Sequence, residues 1–175
     1  MSKLPRGHYE AIGRVACDWT DLMRLVDDAI WDLLETDWQK GRVVTQHLTD
    51  TVKLQMLEAL AVEAVQVHYI ATLKALRKVL KQIEALRLQR NQIVHGEHNR
   101  DLKRGRTHVV RYVWTARGNL KVKHFLVSVV ETNSVARQIR EAEASLFRVF
   151  HEEGLWQRRL EARRPAKTAS LGCTS

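Results

Sequence analysis

The sequence is poor in cysteine, proline and glycine. Of 175 residues, two are cysteine, two are proline and eight are glycine. Cys17 and Cys173 cannot form a disulfide framework, which argues against a small disulfide-stabilised secreted domain and favours a reducing compartment. Because proline and glycine punctuate turns, their scarcity favours long helices over an all-β fold that is dense in turns.

Long apolar runs are also missing. No stretch approaches the roughly 18 apolar residues of a membrane-spanning helix, and the first residues, MSKLPRGHYE, lack the apolar segment of a signal peptide. We therefore expect a cytoplasmic protein with no membrane partner. Hydrophobic residues make up 45% and charged residues 28% of the chain, which is typical of globular domains and, at this length, predicts one domain.

Positive charge is concentrated in the second part of the chain. The net charge is +9 overall, but residues 1–66 contain 7 basic and 11 acidic residues, whereas residues 67–175 contain 22 and 9. The densest basic stretch runs from residue 100 to residue 123. Such a stretch suits a polyanion such as nucleic acid. The alternative is a solvated basic surface that has no partner.

Apolar residues recur at steps of three and four in four segments, which predicts four long amphipathic helices. The first runs from about residue 8 to 37, and Gly41 is expected to break the chain after it. The second begins at Thr49 or Asp50, either of which could cap it. The third spans about 68–95, with Gly96 as its stop. The last is expected to begin at a cap formed by Asn133 or Ser134.

The periodicity changes between the third and fourth predicted helices. Residues 107–114 and 120–127 are rich in β-branched and aromatic side chains, and 116–119 has the composition of a turn. This pattern predicts a β-hairpin at about 107–127, which must pack on helices or on another chain because a lone hairpin is marginally stable.

The predicted fold is therefore mainly α, an antiparallel bundle of about four long helices with a β-hairpin inserted before the last one. Residues 1–162 would form this single domain. The apolar pattern is lost beyond it, and residues 163–175 are expected to form a flexible basic and polar tail.

The end of the third predicted helix carries Arg90, Asn91 and His95 within six residues. Asn91 and His95 are four apart and share a helix face, and Arg90 is long enough to bend toward the same cleft. Two copies facing each other across a two-fold axis would bring two of each residue together. The alternative is a structural cap network, with Arg90 in a salt bridge and His95 bound to a final carbonyl.

These residue types suit the cleavage of RNA. A histidine can take a proton from a ribose 2′-hydroxyl or give one to the leaving 5′-oxygen. An arginine can hold the phosphate and stabilise the charge of the transition state, and Asn91 could orient either partner. No metal is required because the 2′-hydroxyl is an internal nucleophile, and DNA, which lacks this group, would not be cut.

The segment Arg90-Asn-Gln-Ile-Val-His95, followed by Gly96, resembles the R-(X)4–6-H signature of HEPN-type proteins, including the polar residue that often follows the arginine. The resemblance implies a small helical domain, usually a homodimer, with the arginine, the polar residue and the histidine at the dimer cleft. Many members are metal-independent endoribonucleases that leave a 2′,3′-cyclic phosphate, and several are toxins or phage-defence effectors. Others lack nuclease activity and serve as binding or partner domains.

The sequence thus predicts a homodimeric endoribonuclease whose catalytic residues are Arg90, Asn91 and His95, with no metal and no cofactor. RNA would be the substrate, and an antitoxin or regulatory protein would be a further partner. A non-catalytic helical dimer that binds RNA or a partner protein is the alternative. The residues expected to bind RNA are Arg87, Arg100, Lys103, Arg104, Arg106, Arg111, Arg117, Lys121 and Lys123.

Overall fold

The structure, a computed structural model, describes residues 4–64, 70–101, 106–114, 120–126 and 128–151, the strands by their backbone. The protein is a mainly α-helical bundle. Within these ranges there are five helices and three strands: α1 (Arg6–Leu33), α2 (Trp38–Thr45), α3 (Asp50–Ala64), α4 (Ile70–His95), β1 (Glu97–Asp101), β2 (Arg106–Trp114), β3 (Leu120–Leu126) and α5 (Val129–His151).

The core lies between the four long helices α1, α3, α4 and α5, and it is mostly aliphatic. Each helix buries one stripe of its surface, as the periodicity of the sequence predicts, and burial of this apolar area is the main favourable term in folding. Among the largest fully buried side chains are Leu22, Ile30, Leu57, Leu76, Ile83, Ile139, Leu146 and Phe150.

The relative direction of α1 and α5 differs from the predicted antiparallel arrangement. Arg14 donates a hydrogen bond to Asn133, and Arg140 pairs with Asp18 further along both helices. Because the later residue of α1 contacts the later residue of α5, the two helices run parallel. The strands between α4 and α5 supply a connection long enough for α5 to begin beside the first half of α1.

The first helix ends earlier than predicted, at Leu33 rather than near residue 37. The N–H of Thr36 donates to the carbonyl of Trp31, and the N–H of Glu35 donates to that of Asp32. This is a Schellman motif, and Glu35 adopts the left-handed conformation that it requires, with φ of 55°. The predicted boundary was wrong because a glutamate occupies a position that glycine usually fills.

The short helix α2 was not predicted, and Gly41 does not break the chain but lies within it. The helix begins at Asp37, whose Oδ1 accepts a hydrogen bond from the backbone N–H of Lys40 at 2.9 Å. A glycine is needed inside the helix because a Cβ at position 41 would lie 2.3 Å from Cγ of Trp31.

Two further helix starts are set by capping side chains. Thr49 Oγ1 accepts from the N–H of Val52 at 3.4 Å at the start of α3. At the start of α5, Ser128 Oγ accepts from the N–H of Glu131 at 3.0 Å, and the Glu131 carboxylate accepts from the N–H of Ser128 at 2.8 Å. This capping box replaces the predicted cap at Asn133 or Ser134, so α5 begins one turn earlier.

The strands form an antiparallel sheet in the order β1-β2-β3. β2 and β3 pair from His108 opposite Leu126 to Trp114 opposite Leu120. The predicted turn at 116–119 lies outside the described residues, so the hairpin connection itself stays a prediction. β1, which directly follows α4, was not predicted because its sequence, Glu-His-Asn-Arg-Asp, has no β-branched or aromatic residue.

Other sequence expectations lie outside the described ranges. They include the predicted start of the third helix at residue 68 and the predicted tail at 163–175. Within the described ranges, no helix combines the length and the apolar character that crossing a bilayer demands.

Candidate functional site

The last two turns of α4 bring the three predicted catalytic residues into one hydrogen-bonded cluster. Nη1 of Arg90 donates to Oδ1 of Asn91 at 2.9 Å and lies 3.0 Å from Nε2 of His95. Arg90 and Asn91 are half-buried, whereas His95, the final residue of the helix, is exposed. We call these three residues the Arg90 cluster.

The hydrogen bond between Arg90 and His95 defines the state of the imidazole. A guanidinium carries donors and no acceptor, so Nε2 of His95 must accept the hydrogen bond. This geometry corresponds to the tautomer that carries its proton on Nδ1. A neutral imidazole whose Nε2 lone pair points at a cation becomes a proton acceptor when the cation turns to another ligand.

A tryptophan from another helix supports Arg90. The guanidinium carbon lies 6.0 Å from the centre of the Trp19 ring, and Trp19 is only 2% exposed. The indole N–H of Trp19 donates to Oδ2 of Asp50, at the start of α3, at 3.0 Å. The position of Arg90 thus depends on α1, α3 and α4 together, through a cation–π contact and a buried anchor.

Sequence analysis missed the part that Trp19 and Asp50 play in this site. Trp19 belongs to the apolar stripe of its helix, and Asp50 is a candidate helix N-cap. Each residue has an ordinary structural explanation. Nothing in the sequence near Arg90 indicates that Trp19 contacts Arg90 or that Asp50 binds Trp19. Only the packing of three helices brings them together.

Arg90 keeps donors that its own cluster does not use. Within the described ranges its hydrogen bonds are the two from Nη1, so it forms no ion pair there and Nη2 has no hydrogen-bond partner. Its Nε is buried and has no partner there either. The predicted structural alternative, an Arg90 salt bridge, is therefore not formed with the described residues.

Arg87, which was predicted to bind RNA, is held differently. Its Nε and Nη2 donate to the two carboxylate oxygens of Glu84 at 2.8 and 2.7 Å. This fork of hydrogen bonds lowers the pKa of the Glu84 carboxyl below its ordinary value. A phosphate would have to compete with that carboxylate, so Arg87 is less suited to RNA binding than Arg90.

The register of the sheet arranges several of the predicted RNA-binding positions. Residues opposite each other in antiparallel strands share a face, as do alternate residues along one strand. Arg111 pairs with Lys123, and positions 100 and 121 pair with 107 and 113, which alternate with 111 along β2. Four basic positions therefore share one face of the sheet: Arg100, Arg111, Lys121 and Lys123.

The other predicted RNA-binding positions are placed apart or are not described. Arg106 pairs with Asp101 on the opposite face of the sheet, while Lys103, Arg104 and Arg117 lie outside the described residues. In the part of the chain that is described, no group of three or more His, Cys, Asp or Glu residues could hold a metal ion.

Comparison with known proteins gives no further guide. No protein-family model, no curated protein and no solved structure matches this chain.

Proposed function

We propose that this chain is a HEPN-like, metal-independent endoribonuclease that works as a homodimer. The observation that carries the proposal is the distance of 3.0 Å between Nη1 of Arg90 and Nε2 of His95 at the open end of α4. A cation that can bind a phosphate and a neutral imidazole beside it are the two groups that attack by a ribose 2′-hydroxyl requires.

Substrate binding would begin at Arg90. Its unused Nη2 donates to a non-bridging phosphate oxygen, and Nη1 exchanges its hydrogen bond with His95 for a second phosphate oxygen. This exchange releases Nε2 of His95 beside the bound phosphate. Trp19 and Asn91 keep the guanidinium in place, which lowers the entropic cost of orienting it.

His95 then takes the proton of the 2′-hydroxyl as the 2′-oxygen attacks phosphorus. The bond from phosphorus to the 5′-oxygen breaks, and the leaving 5′-oxygen receives a proton. The products are a 2′,3′-cyclic phosphate and a 5′-hydroxyl. Arg90 stabilises the negative charge that accumulates on the phosphate oxygens in the transition state.

The two proton transfers favour two copies of the chain. One cluster contains one histidine, which ends the first transfer protonated and cannot at the same moment serve as both base and acid. A two-fold dimer would place a second His95 near the leaving oxygen, and this second ring, in its imidazolium form, would give that oxygen its proton. The basic face of the sheet, defined by Arg100, Arg111, Lys121 and Lys123, would attract the RNA electrostatically.

Cleavage by variant proteins in EDTA tests the proposal. We expect His95→Ala to slow RNA cleavage at least about 100-fold, the usual contribution of a general acid or base. His47→Ala is the matched control, since His47 is an exposed histidine that contacts the side chain of Gln46 and lies outside the cluster. Cleavage by His95→Ala at the wild-type rate would reject the mechanism.

A toxin or phage-defence role, with an antitoxin or regulatory protein as partner, would fit such an enzyme. The second candidate is a non-catalytic helical dimer that binds RNA or a partner protein. It is favoured by the fact that Arg90 already donates to Asn91 and His95 of its own chain. This candidate predicts salt-sensitive RNA retention on a filter with no cleavage products, even after long incubation.

A further inference from the structure

A cavity of about 420 Å³ has no lining residue in common with the Arg90 cluster or with Trp19. It is formed by the second half of α1, the start of α2 and the end of α5. Ala29 and Phe150 are buried at its base, whereas Trp38 and Phe147 are 61% and 48% exposed at its rim. The remaining lining residues are Leu25, Asp28, Trp31, Asp32, Thr36 and His151.

Two of the aromatic walls of the cavity, Trp31 and Phe147, have partners within the chain. The indole N–H of Trp31 donates to Oγ1 of Thr45 at 3.1 Å, and the ring packs against the backbone at Gly41. Phe147 stacks on His151, with 4.1 Å between the ring centres. A site whose rings are already fixed loses little side-chain entropy when a ligand binds.

The charged side chains that line the cavity are carboxylates, beside one histidine, His151. Asp28 and Asp32 line it, and no lysine or arginine does. Asp28 has no hydrogen bond or ion pair within the described ranges, and partial burial raises the pKa of its carboxyl despite the opposing effect of Arg24. Arg24 lies within 3.8 Å of a different carboxylate, that of Asp21.

We propose that this cavity binds an organic ammonium cation, with its methyl or methylene groups against Trp31, Trp38 and Phe147 and its charge balanced by Asp28. Aromatic faces attract cations, and quaternary ammonium groups are the ligands that such arrangements recognise. An anion would be repelled by the carboxylates, and a neutral apolar molecule would leave Asp28 without a partner. This site is independent of the proposed ribonuclease activity.

Titration of the full chain with choline and with 3,3-dimethylbutan-1-ol, its uncharged isostere, tests the charge requirement. Binding is followed by NMR through the indole N–H signals of Trp31 and Trp38. We expect saturable shifts with choline and binding of the isostere that is weaker by about tenfold or more. Equal affinity for the two molecules, or no saturable shift with choline, would overturn the proposal.

Substitutions test whether Asp28 is the counter-charge. We expect Asp28→Asn to weaken choline binding by about tenfold and Trp38→Ala by about fivefold. Asp21→Asn is the matched control, because it removes the same charge from the same helix, outside the cavity. Far-ultraviolet circular dichroism verifies that each variant is folded. Equal losses in Asp28→Asn and Asp21→Asn would show that only the overall field matters, which contradicts the proposed site.

Discussion

Two tryptophans on α1 share one kind of anchor but have different surroundings. The indole N–H of Trp19 donates to Asp50 at the start of α3, and that of Trp31 donates to Thr45 at the end of α2. Trp19 is buried and carries the guanidinium of Arg90 near its ring. Trp31 is half-buried and borders a cavity lined by carboxylates and by no lysine or arginine.

The comparison distinguishes the hydrogen bond that holds each indole ring from the group that lies against the ring. Each indole hydrogen bond ties α1 to a later helix, α3 at Trp19 and α2 at Trp31, which is a structural role. At Trp19 the chain supplies its own cation, so the ring supports a side chain of the proposed catalytic cluster. At Trp31 no lysine or arginine lines the cavity, and the proposed ligand would supply the cation.

The largest expected effect is a difference in stability between variants that lack one or the other tryptophan ring. Trp19→Ala should lower the free energy of unfolding by about 3–5 kcal/mol, because a fully buried aromatic side chain leaves a cavity. Trp31→Ala should cost less, since the ring is only half-buried. Urea denaturation of both variants measures the two losses. If Trp31→Ala lost as much free energy of unfolding as Trp19→Ala, or more, the proposed difference between the two rings would be wrong.

A smaller effect concerns the backbone that supports Trp31. Gly41→Ala should destabilise the protein by about 1–3 kcal/mol through overpacking, because the added methyl group would meet the Trp31 ring. Gly13→Ala is the matched control: nothing lies within 4 Å of a methyl group there. It should stabilise α1 by about 0.5–1 kcal/mol. Thermal unfolding measures both, and the same sign for both substitutions would refute this account of Gly41.

The smallest expected effect is a dependence of α2 on pH. The backbone N–H of Lys40, followed by its side chain, holds the pKa of Asp37 below its ordinary value of 3.8. The stability that this carboxylate contributes is therefore present above that value and is lost as the pH falls through the lower pKa of the folded state.

Asp37→Asn tests this dependence, because asparagine caps a helix about as well as aspartate but does not titrate. Near pH 7 the wild type should melt slightly higher, by about 1 °C, through its charge at the helix N-terminus. The difference should shrink as the pH falls below about 4 and should vanish below the lower pKa of the folded state. A difference that stays constant down to pH 3 would assign no role to the charge of Asp37.

The parts of the fold that could be predicted from the sequence are those with local signals. The buried stripes of the long helices follow from steps of three and four, and Arg90, Asn91 and His95 meet because one helix carries all three. The end of α1 could not be predicted, since Glu35 adopts a left-handed conformation that is unusual for glutamate.

Other features depend on contacts between distant segments. Gly41 predicts a break in the chain when the sequence alone is considered. In the structure it lies inside a helix, where the Trp31 ring leaves no room for a Cβ. Trp19 and Asp50 support Arg90 across three helices, which no pattern near Arg90 could reveal. The Ser128–Glu131 capping box is the exception, because its Ser-x-x-Glu spacing is a local signal that the sequence itself contains.

The central claim is that the Arg90 cluster activates the ribose 2′-hydroxyl of RNA. The most direct measurement is mass spectrometry of the ends that the wild-type protein leaves on a defined RNA in EDTA, beside the same RNA with 2′-O-methyl groups throughout. The account predicts 2′,3′-cyclic phosphate and 5′-hydroxyl ends from the first RNA and no cleavage of the second. Products with 3′-hydroxyl ends, or cleavage of the methylated RNA, would contradict it.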